Sequence, residues 1–252
     1  MVDKQQVRRP DGTRRTALRS VLIAVIIALM CPETLLAQTP WVKIREKNGI
    51  VLSKRSVPDS PISEFKGETL INARIEVIEA VLRDIPAYAE FMFNCREGRL
   101  IKTWGKDDLI ILNVTDMPWP LADRDVVVRS IVSKDFQRGV FSVVLQGLPE
   151  PESSRYCPVR KDRVRMHDLQ GIFIIEIVDR EHTRMSYIVH ADPVGIPSTL
   201  TNFFSDDNPY GTLTGIRRMV QKEKYLLEGR KSREIPLVEQ FLKKKEDSTA
   251  AK

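Results

Sequence analysis

Apolar and polar residues alternate with a period of two along most of the chain between Gly49 and Ala191, the spacing of half-buried strands. Gly49 to Arg55 and Ser63 to Ile71 are the first such runs, and the turn-rich Pro58-Asp59-Ser60-Pro61 between them predicts a hairpin. A short amphipathic opening around Trp41 and Ile44 precedes them. Leu109 to Thr115, Asp125 to Lys134, Gly139 to Leu148, Gly171 to Val178 and Arg184 to Ala191 continue the pattern. Turns such as Asp135-Phe136-Gln137-Arg138 and Asp179-Arg180-Glu181-His182 join them. Successive strands without intervening helices predict an antiparallel meander. In one of these strands Val126 and Val128 point to one side while Val127 and Ile131 point to the other, so both faces of the sheet meet apolar material.

Helical spacing occurs in two places. Glu76 to Asp84 carries Val77, Ile78, Val81 and Leu82 on one face, and Pro86 opens a second short helix through Phe93. Near the end of the chain Asn208 reads as an N-cap with Pro209 in the first turn, and Gly229 as the stop of one long helix. Ile216, Met219, Val220 and Leu227 form its apolar stripe, with Arg217, Arg218, Lys222 and Lys224 pointing elsewhere. The pattern is that of an α+β domain in which a long amphipathic helix packs on a curved antiparallel sheet. Side chains fill the space between them, or a ligand does; periodicity leaves both open.

The N-terminus has a different composition. Arg8, Arg9, Arg14, Arg15 and Arg19 precede the ten apolar residues from Val21 to Met30, followed by Pro32 and Leu35-Leu36-Ala37. This is the layout of a cleavable signal peptide, and at ~1.5 Å per residue the run is too short to span a bilayer core of about 30 Å. The expected organisation is a signal peptide over residues 1–37, a domain over 38–230 and a basic C-terminal tail over 231–252. Thr13-Arg14-Arg15-Thr16-Ala17-Leu18-Arg19 also resembles a twin-arginine export motif, with Ala17 where a Phe is usual. Periplasmic or secreted localisation is expected, and it would permit a disulfide between Cys95 and Cys157. The signal segment holds six of the basic residues and three of the acidic ones, so the net charge of +6 falls to +3 without it. A weakly basic chain with no dense basic patch argues against nucleic acid and allows transient contact with an anionic membrane surface. The Lys243-Lys244-Lys245 run reads as part of a solvated, frayed tail.

The familiar catalytic templates are absent: there is no GxSxG, P-loop, GxGxxG after a strand, HExxH or paired CxxC. His167, His182 and His190 lie on different elements without ligand spacing, so neither metal nor cofactor is expected. Asp107-Asp108, Asp123, Asp125 and Asp206-Asp207 stand where Asp favours turns and helix starts. Glu176 interrupts an apolar strand and suits an exposed edge as well as a site.

Trp119-Pro120-Leu121-Ala122-Asp123-Arg124-Asp125 resembles the Trp-Pro-x-x-x-Arg-Asp segment of START (StAR-related lipid-transfer) domains. Pro158-Val159-Arg160, Asp192-Pro193-Val194-Gly195-Ile196-Pro197, Glu64-Phe65-Lys66-Gly67 and the Tyr88 to Cys95 stretch fit the same family in order, so that the resemblance covers roughly Trp41 to Leu227. It implies a helix-grip fold, a curved sheet wrapped on a long C-terminal helix around a cavity for a sterol, hopanoid-like lipid or phospholipid. It implies a monomeric carrier or sensor; the alternatives are a cyclase or hydrolase using the same cavity, or a ligand-free interaction domain. The expected ligand-binding residues are Arg124, Trp104, Val126, Val128, Tyr187, His190, Asn202 and Phe203. Arg124 shares a strand face with Val126, Val128, Ser130 and Val132 and is expected to hold the polar end of the ligand, or to close a buried ion pair with Asp123 or Asp125. Relatives often carry a second arginine six residues later on the same face; here Arg129 is five residues later and falls on the opposite one. Maturation gives the first test. Protein recovered from the exported fraction should begin near Gln38, and Edman sequencing that reads Met1 from membrane-bound protein would refute cleavage.

Overall fold

The computed structural model describes residues 39–250, without the side chains of residues 202–205. The segment read as an export signal lies outside the described residues. Among the described residues ten strands form one sheet: β1 Val42–Lys47, β2 Ile50–Arg55, β3 Glu64–Ile71, β4 Cys95–Thr103, β5 Asp108–Thr115, β6 Asp123–Asp135, β7 Val140–Gly147, β8 Arg163–Met166, β9 Leu169–Ile177 and β10 Thr183–Ala191. Their order is β1-β2-β3-β10-β9-β7-β6-β5-β4, antiparallel throughout, and the short β8 runs parallel to β6 beside that path. The meander and the hairpin are as the alternation predicts; the opening around Trp41 is an edge strand, with Val42 and Ile44 exposed. Between β3 and β4 the chain crosses to the far edge through α1 (Ile75–Arg83), a 3-10 turn (Ile85–Ala87) and α2 (Tyr88–Phe91). Two register shifts interrupt the pairing of β4 with β5, as bulges do.

The sheet is apolar on both faces, and the faces divide the core. Leu52, Val128, Leu145, Phe173, Ile175 and Tyr187 are buried on the inner face with the helices. Phe173 and Tyr187, directly opposite each other on β9 and β10, stack at 4.2 Å. Ile110, Leu112, Val114 and Val127 point outward and are covered by Leu148, Cys157 and the short α3 (Glu152–Tyr156). Cys95 belongs to the inner core and Cys157 to the outer one, so the sheet stands between two buried free thiols and no disulfide joins them.

The last part of the chain departs from the expectation of one long helix. After α4 (Ser198–Ser205) come α5 (Asn208–Met219), α6 (Glu223–Arg230) and α7 (Ile235–Ala250). Asp207, not Asn208, occupies the cap of α5. The break falls at Lys222, whose ψ of 133° is extended. It rotates the chain so that Tyr225 is buried with its hydroxyl donating to Asp84 at 2.9 Å, while Leu227, on the stripe of a continuous helix, is 44 % exposed. The basic tail is also helical: α7 buries Val238 and Leu242, and Lys245 Nζ donates to Val178 O at 2.7 Å. Its Phe241 lies against Gly139, where a side chain would collide with the ring.

Helix α5 is the inner layer. Leu213, Ile216 and Met219 are fully buried, and the helix crosses β3 at Gly67, where an added Cβ would stand 2.8 Å from Leu213 and 2.9 Å from Pro209. Gly215 is in closer contact still, since a Cβ there would meet Phe91 O at 2.4 Å. Alanine is worth about 1 kcal/mol more than glycine in a helix interior. The contact with rigid backbone reverses that sign: Gly215→Ala should lower stability by about 1–3 kcal/mol, read as a lower urea midpoint at unchanged slope.

Candidate functional site

A cavity of about 150 Å³ opens between the inner face of the sheet and the segment from Pro193 to Asn208. The strands supply its wall by alternation: Ile111, Asn113 and Thr115 from β5, Arg124 and Val128 from β6, and Tyr187, Val189 and Ala191 from β10. Met92, Phe93, Pro193, Ile196 and Thr201 close the other side. Asn94, Asn113, Thr115, Arg124, Thr201 and Asn208 give the wall its polar groups beside two tyrosines, and the rest of it is apolar. Tyr88 and Tyr187 sit deeper, where burial pushes both phenols far above the ordinary tyrosine range and keeps them neutral.

Arg124 is the sole charged side chain among the described residues of this wall. The residue is 4 % exposed, and its guanidinium donates to carbonyl oxygens: Nε to Pro193 O at 2.8 Å, Nη2 to Val194 O at 3.0 Å and Nη1 to Ala122 O. Burial lowers its affinity for the proton, and Asp123 opposes that; an arginine still stays charged. The ion pair expected with Asp123 or Asp125 does not form. Asp123 accepts from Arg96, and Asp125, the next residue on β6, points to the outer face and receives Arg165 Nε at 2.6 Å. Arg124 instead ties the start of β6 to the loop after β10. That loop contains Val194 at φ 55° and Gly195 at φ 72°. A β-branched residue in the left-handed region stores about 1–3 kcal/mol of strain. The Arg124 bond to Val194 O and the Val194 N–H bond to Asp192 Oδ1 at 2.8 Å hold it there.

Of the other residues expected to bind ligand, Val128 and Tyr187 are on the cavity wall. Val126 lies in the same inward row but is packed into the core beside the wall. His190 is a correction: three residues from Tyr187 on one strand, it must face the opposite side, where it is buried with Nε2 3.5 Å from Asp168 and Nδ1 without a partner among the described residues. Trp104 is a second one. It lies after β4 on the outer surface, 46 % exposed, edge-on to Tyr156. The side chains of Asn202 and Phe203 lie outside the described set. Arg129 points outward, as its spacing from Arg124 requires, and grips Asp108 with two bonds of 3.0 and 2.7 Å. Glu176 faces Arg184 on the exposed side of the sheet. Sequence reading did not find Tyr88, Asn113 and Thr201. Thr201 is 3 % exposed, lines the cavity, and its hydroxyl has no partner among the described residues; nothing in its sequence context signals this.

Burial raises the Cys95 thiol to about 11, so it is protonated and unreactive at neutral pH. Among the described residues no cluster of His, Cys, Asp and Glu is arranged to hold a metal ion, and no helix is long and apolar enough to cross a membrane.

A model of the START domain matches residues 30–221. The chain belongs to the START domain family. An uncharacterized protein of Pseudomonas aeruginosa, PA1579, is 30 % identical to this START domain over 183 residues, covering 72 % of this chain and 87 % of that one. A STAR-related lipid transfer protein from Xanthomonas axonopodis superposes with a TM-score of 0.65 at 29 % identity, covering 72 % of this chain and 99 % of that one. Human STARD10 shares the fold, with a TM-score of 0.63 at 17 % identity over 89 % of this chain and 85 % of its own. The fold is therefore the expected α+β helix grip. Helices α6 and α7 follow the matched region of this START domain.

Replacing Arg124 removes donors from three carbonyls at once. Arg124→Leu should cost roughly 1–3 kcal/mol, because the carbonyls at 193 and 194 are only partly shielded from water. Amide hydrogen exchange should accelerate between residues 194 and 201 while β9 and β10 stay protected.

Proposed function

We propose that this START domain is a non-enzymatic container for one amphiphilic lipid-like ligand, working as a carrier or sensor in an exported protein. The observation that carries the reading is the cavity: an apolar pocket in the sheet's inner face, with one buried cation at its loop end. A cyclase or hydrolase needs a convergent acid and base with suitable pKa values. The described wall offers an arginine engaged with carbonyls and two tyrosines held neutral by burial. The Xanthomonas axonopodis protein carries the description of a lipid transfer protein, which agrees with the same reading. Export would place such a container in an aqueous gap, where each exposed CH₂ of a free lipid costs about 0.8 kcal/mol.

The mouth also has the chemistry of a surface that meets membranes. Trp119 is 93 % exposed, two residues after the cavity-lining Met117, and Val194 and Leu200 are exposed in the segment opposite. An indole with apolar neighbours suits the bilayer interface. Loop 192–197 is the part that opens, since its strained Val194 gains by release once the Arg124 bonds let go.

Native mass spectrometry of the protein purified from its own host should show one small hydrophobic molecule per chain. A uniformly ligand-free population would count against the container. Trp119→Ser should slow lipid exchange between vesicles at least about fivefold with an unchanged melting temperature; an unchanged rate would separate Trp119 from the membrane step.

A further inference from the structure

The interior is longer than the cavity at the mouth. A second void of about 20 Å³ is lined mainly by apolar residues, among them Leu82, Leu109, Phe141 and Ile175, with Glu79 and Arg83 at its rim. Three strands order the two spaces along one line. On β6 the first takes Arg124 and Val128 and the second Ser130 and Val132. On β5 Ile111 belongs to the first and Leu109 to the second, and on β7 Leu145 precedes Val143 and Phe141. Tyr88 is common to both linings. It is firmly held: its hydroxyl donates to Leu82 O at 3.1 Å, its ring meets Phe91 edge-on at 5.2 Å, and Gly98 leaves no room behind it, a Cβ there standing 2.7 Å from that of Tyr88.

From this arrangement we propose that the site takes a single-chain amphiphile with an anionic head, the head at Arg124 and Thr201 and the tail ending against Tyr88, which sets its length. This rests on the container reading above and narrows its ligand. Three of the five guanidinium N–H groups of Arg124 are spent on carbonyls, leaving two for an incoming carboxylate. The unpartnered Thr201 hydroxyl lines the same space and supplies a further donor. No carboxylate lines the described wall, and the neighbouring Asp123 is engaged by Arg96, so a negative head gains there what a neutral one does not. At the deep end the position six residues after Arg124 is Ser130, and the two charged residues there, Glu79 and Arg83, are paired with each other at 2.6 Å, so neither calls for a head group.

Size points the same way. A volume of about 150 Å³ is comparable with an engineered cavity that holds one benzene ring, too small for four fused rings or two acyl chains. From Arg124 to Val128 the strand advances about 13 Å at ~3.3 Å per residue. A zigzag chain of ~1.5 Å bonds covers that in roughly ten carbons, so the tail expected is about six to ten carbons long.

Calorimetric titration of the delipidated full-length protein with saturated fatty acids of about six to sixteen carbons, the matching alcohols, cholesterol and phosphatidylcholine vesicles tests this. Affinity should peak near eight to ten carbons, with acids about tenfold or more tighter than alcohols. Tyr88→Leu should move the peak to longer chains, and Thr201→Val should weaken acids more than alcohols at unchanged melting temperature. Should Tyr88→Leu fail to fold, the wild-type length series decides alone. Equal binding of acids and alcohols, affinity still rising at sixteen carbons, or tighter binding of cholesterol or phosphatidylcholine overturns the proposal while the container stands. Binding of none of these probes overturns the container reading itself, and this one with it.

Discussion

Consecutive residues of a strand point to opposite faces, and the Arg124-Asp125 pair uses that geometry to fasten the sheet on both sides. Arg124 turns inward and holds the carbonyls of Pro193 and Val194; Asp125 turns outward and holds Arg165, whose Nη2 also donates to Cys157 O at 3.1 Å. One side closes the mouth of the cavity, and the other fixes the segment that runs through α3 into β8. Both charges are buried, so neither can be discarded: an uncompensated buried ion costs several kcal/mol. The solutions differ. The outer pair is neutralised by an opposite charge, whereas the inner cation is satisfied by dipoles and keeps its positive field where a ligand would lie. That asymmetry leaves the inner end with an unneutralised cation beside the cavity and makes the outer end a structural joint.

The helices divide the interior according to how closely they approach the sheet. Gly67 on β3 and Gly215 on α5 let backbones and side chains meet at distances no larger residue permits, and Arg217 ties the helix to Asn48 O at 2.6 Å and Leu70 O at 3.1 Å. Leu213, Ile216 and Met219 therefore fill one half of the space with no exposure at all. The other half is spanned by a loop and the short α4, which approach the sheet less closely, and there the cavity remains. Close packing and a ligand space thus coexist under one sheet because a single stretch of chain changes from tight helix to looser loop.

Helices α6 and α7 close the end away from the mouth. Glu234, just before α7, accepts from Lys134 of β6 at 2.5 and 2.6 Å and from Lys106 at 2.9 Å. Burial alone would raise the Glu234 carboxyl, but the two lysines hold it below the usual range. Arg83 joins Glu79 and Asp107 at 2.6 Å each, so α1, the β4–β5 turn and β6 meet α7 in one network. Several mutually paired charges, partly shielded from water, hold more firmly than isolated surface pairs do. Lys243 and Lys244 remain on the solvated side of the helix whose other side is buried.

Much of this was legible in the chain itself. Period-two runs gave the strands of the meander, the double-sided apolar pattern of β6 anticipated two core layers, and spacing alone separated Arg124 from Arg129. The Trp-Pro to Arg-Asp segment pointed to the family. These are local properties, set by side-chain direction along one element. What tertiary structure decided depends on partners distant in sequence. The guanidinium of Arg124 chose carbonyls 69 and 70 residues away over the adjacent carboxylates. The helix after Asn208 broke because Asp84 and Val77 draw in Tyr225 and Gly229, and the frayed tail became a helix because the far end of the sheet offered it a surface. His190 and Trp104 lie away from the cavity, and Tyr88 and Thr201 lie on its wall, for the same reason: residue type states which contacts a side chain can make, and only the folded chain states which are within reach.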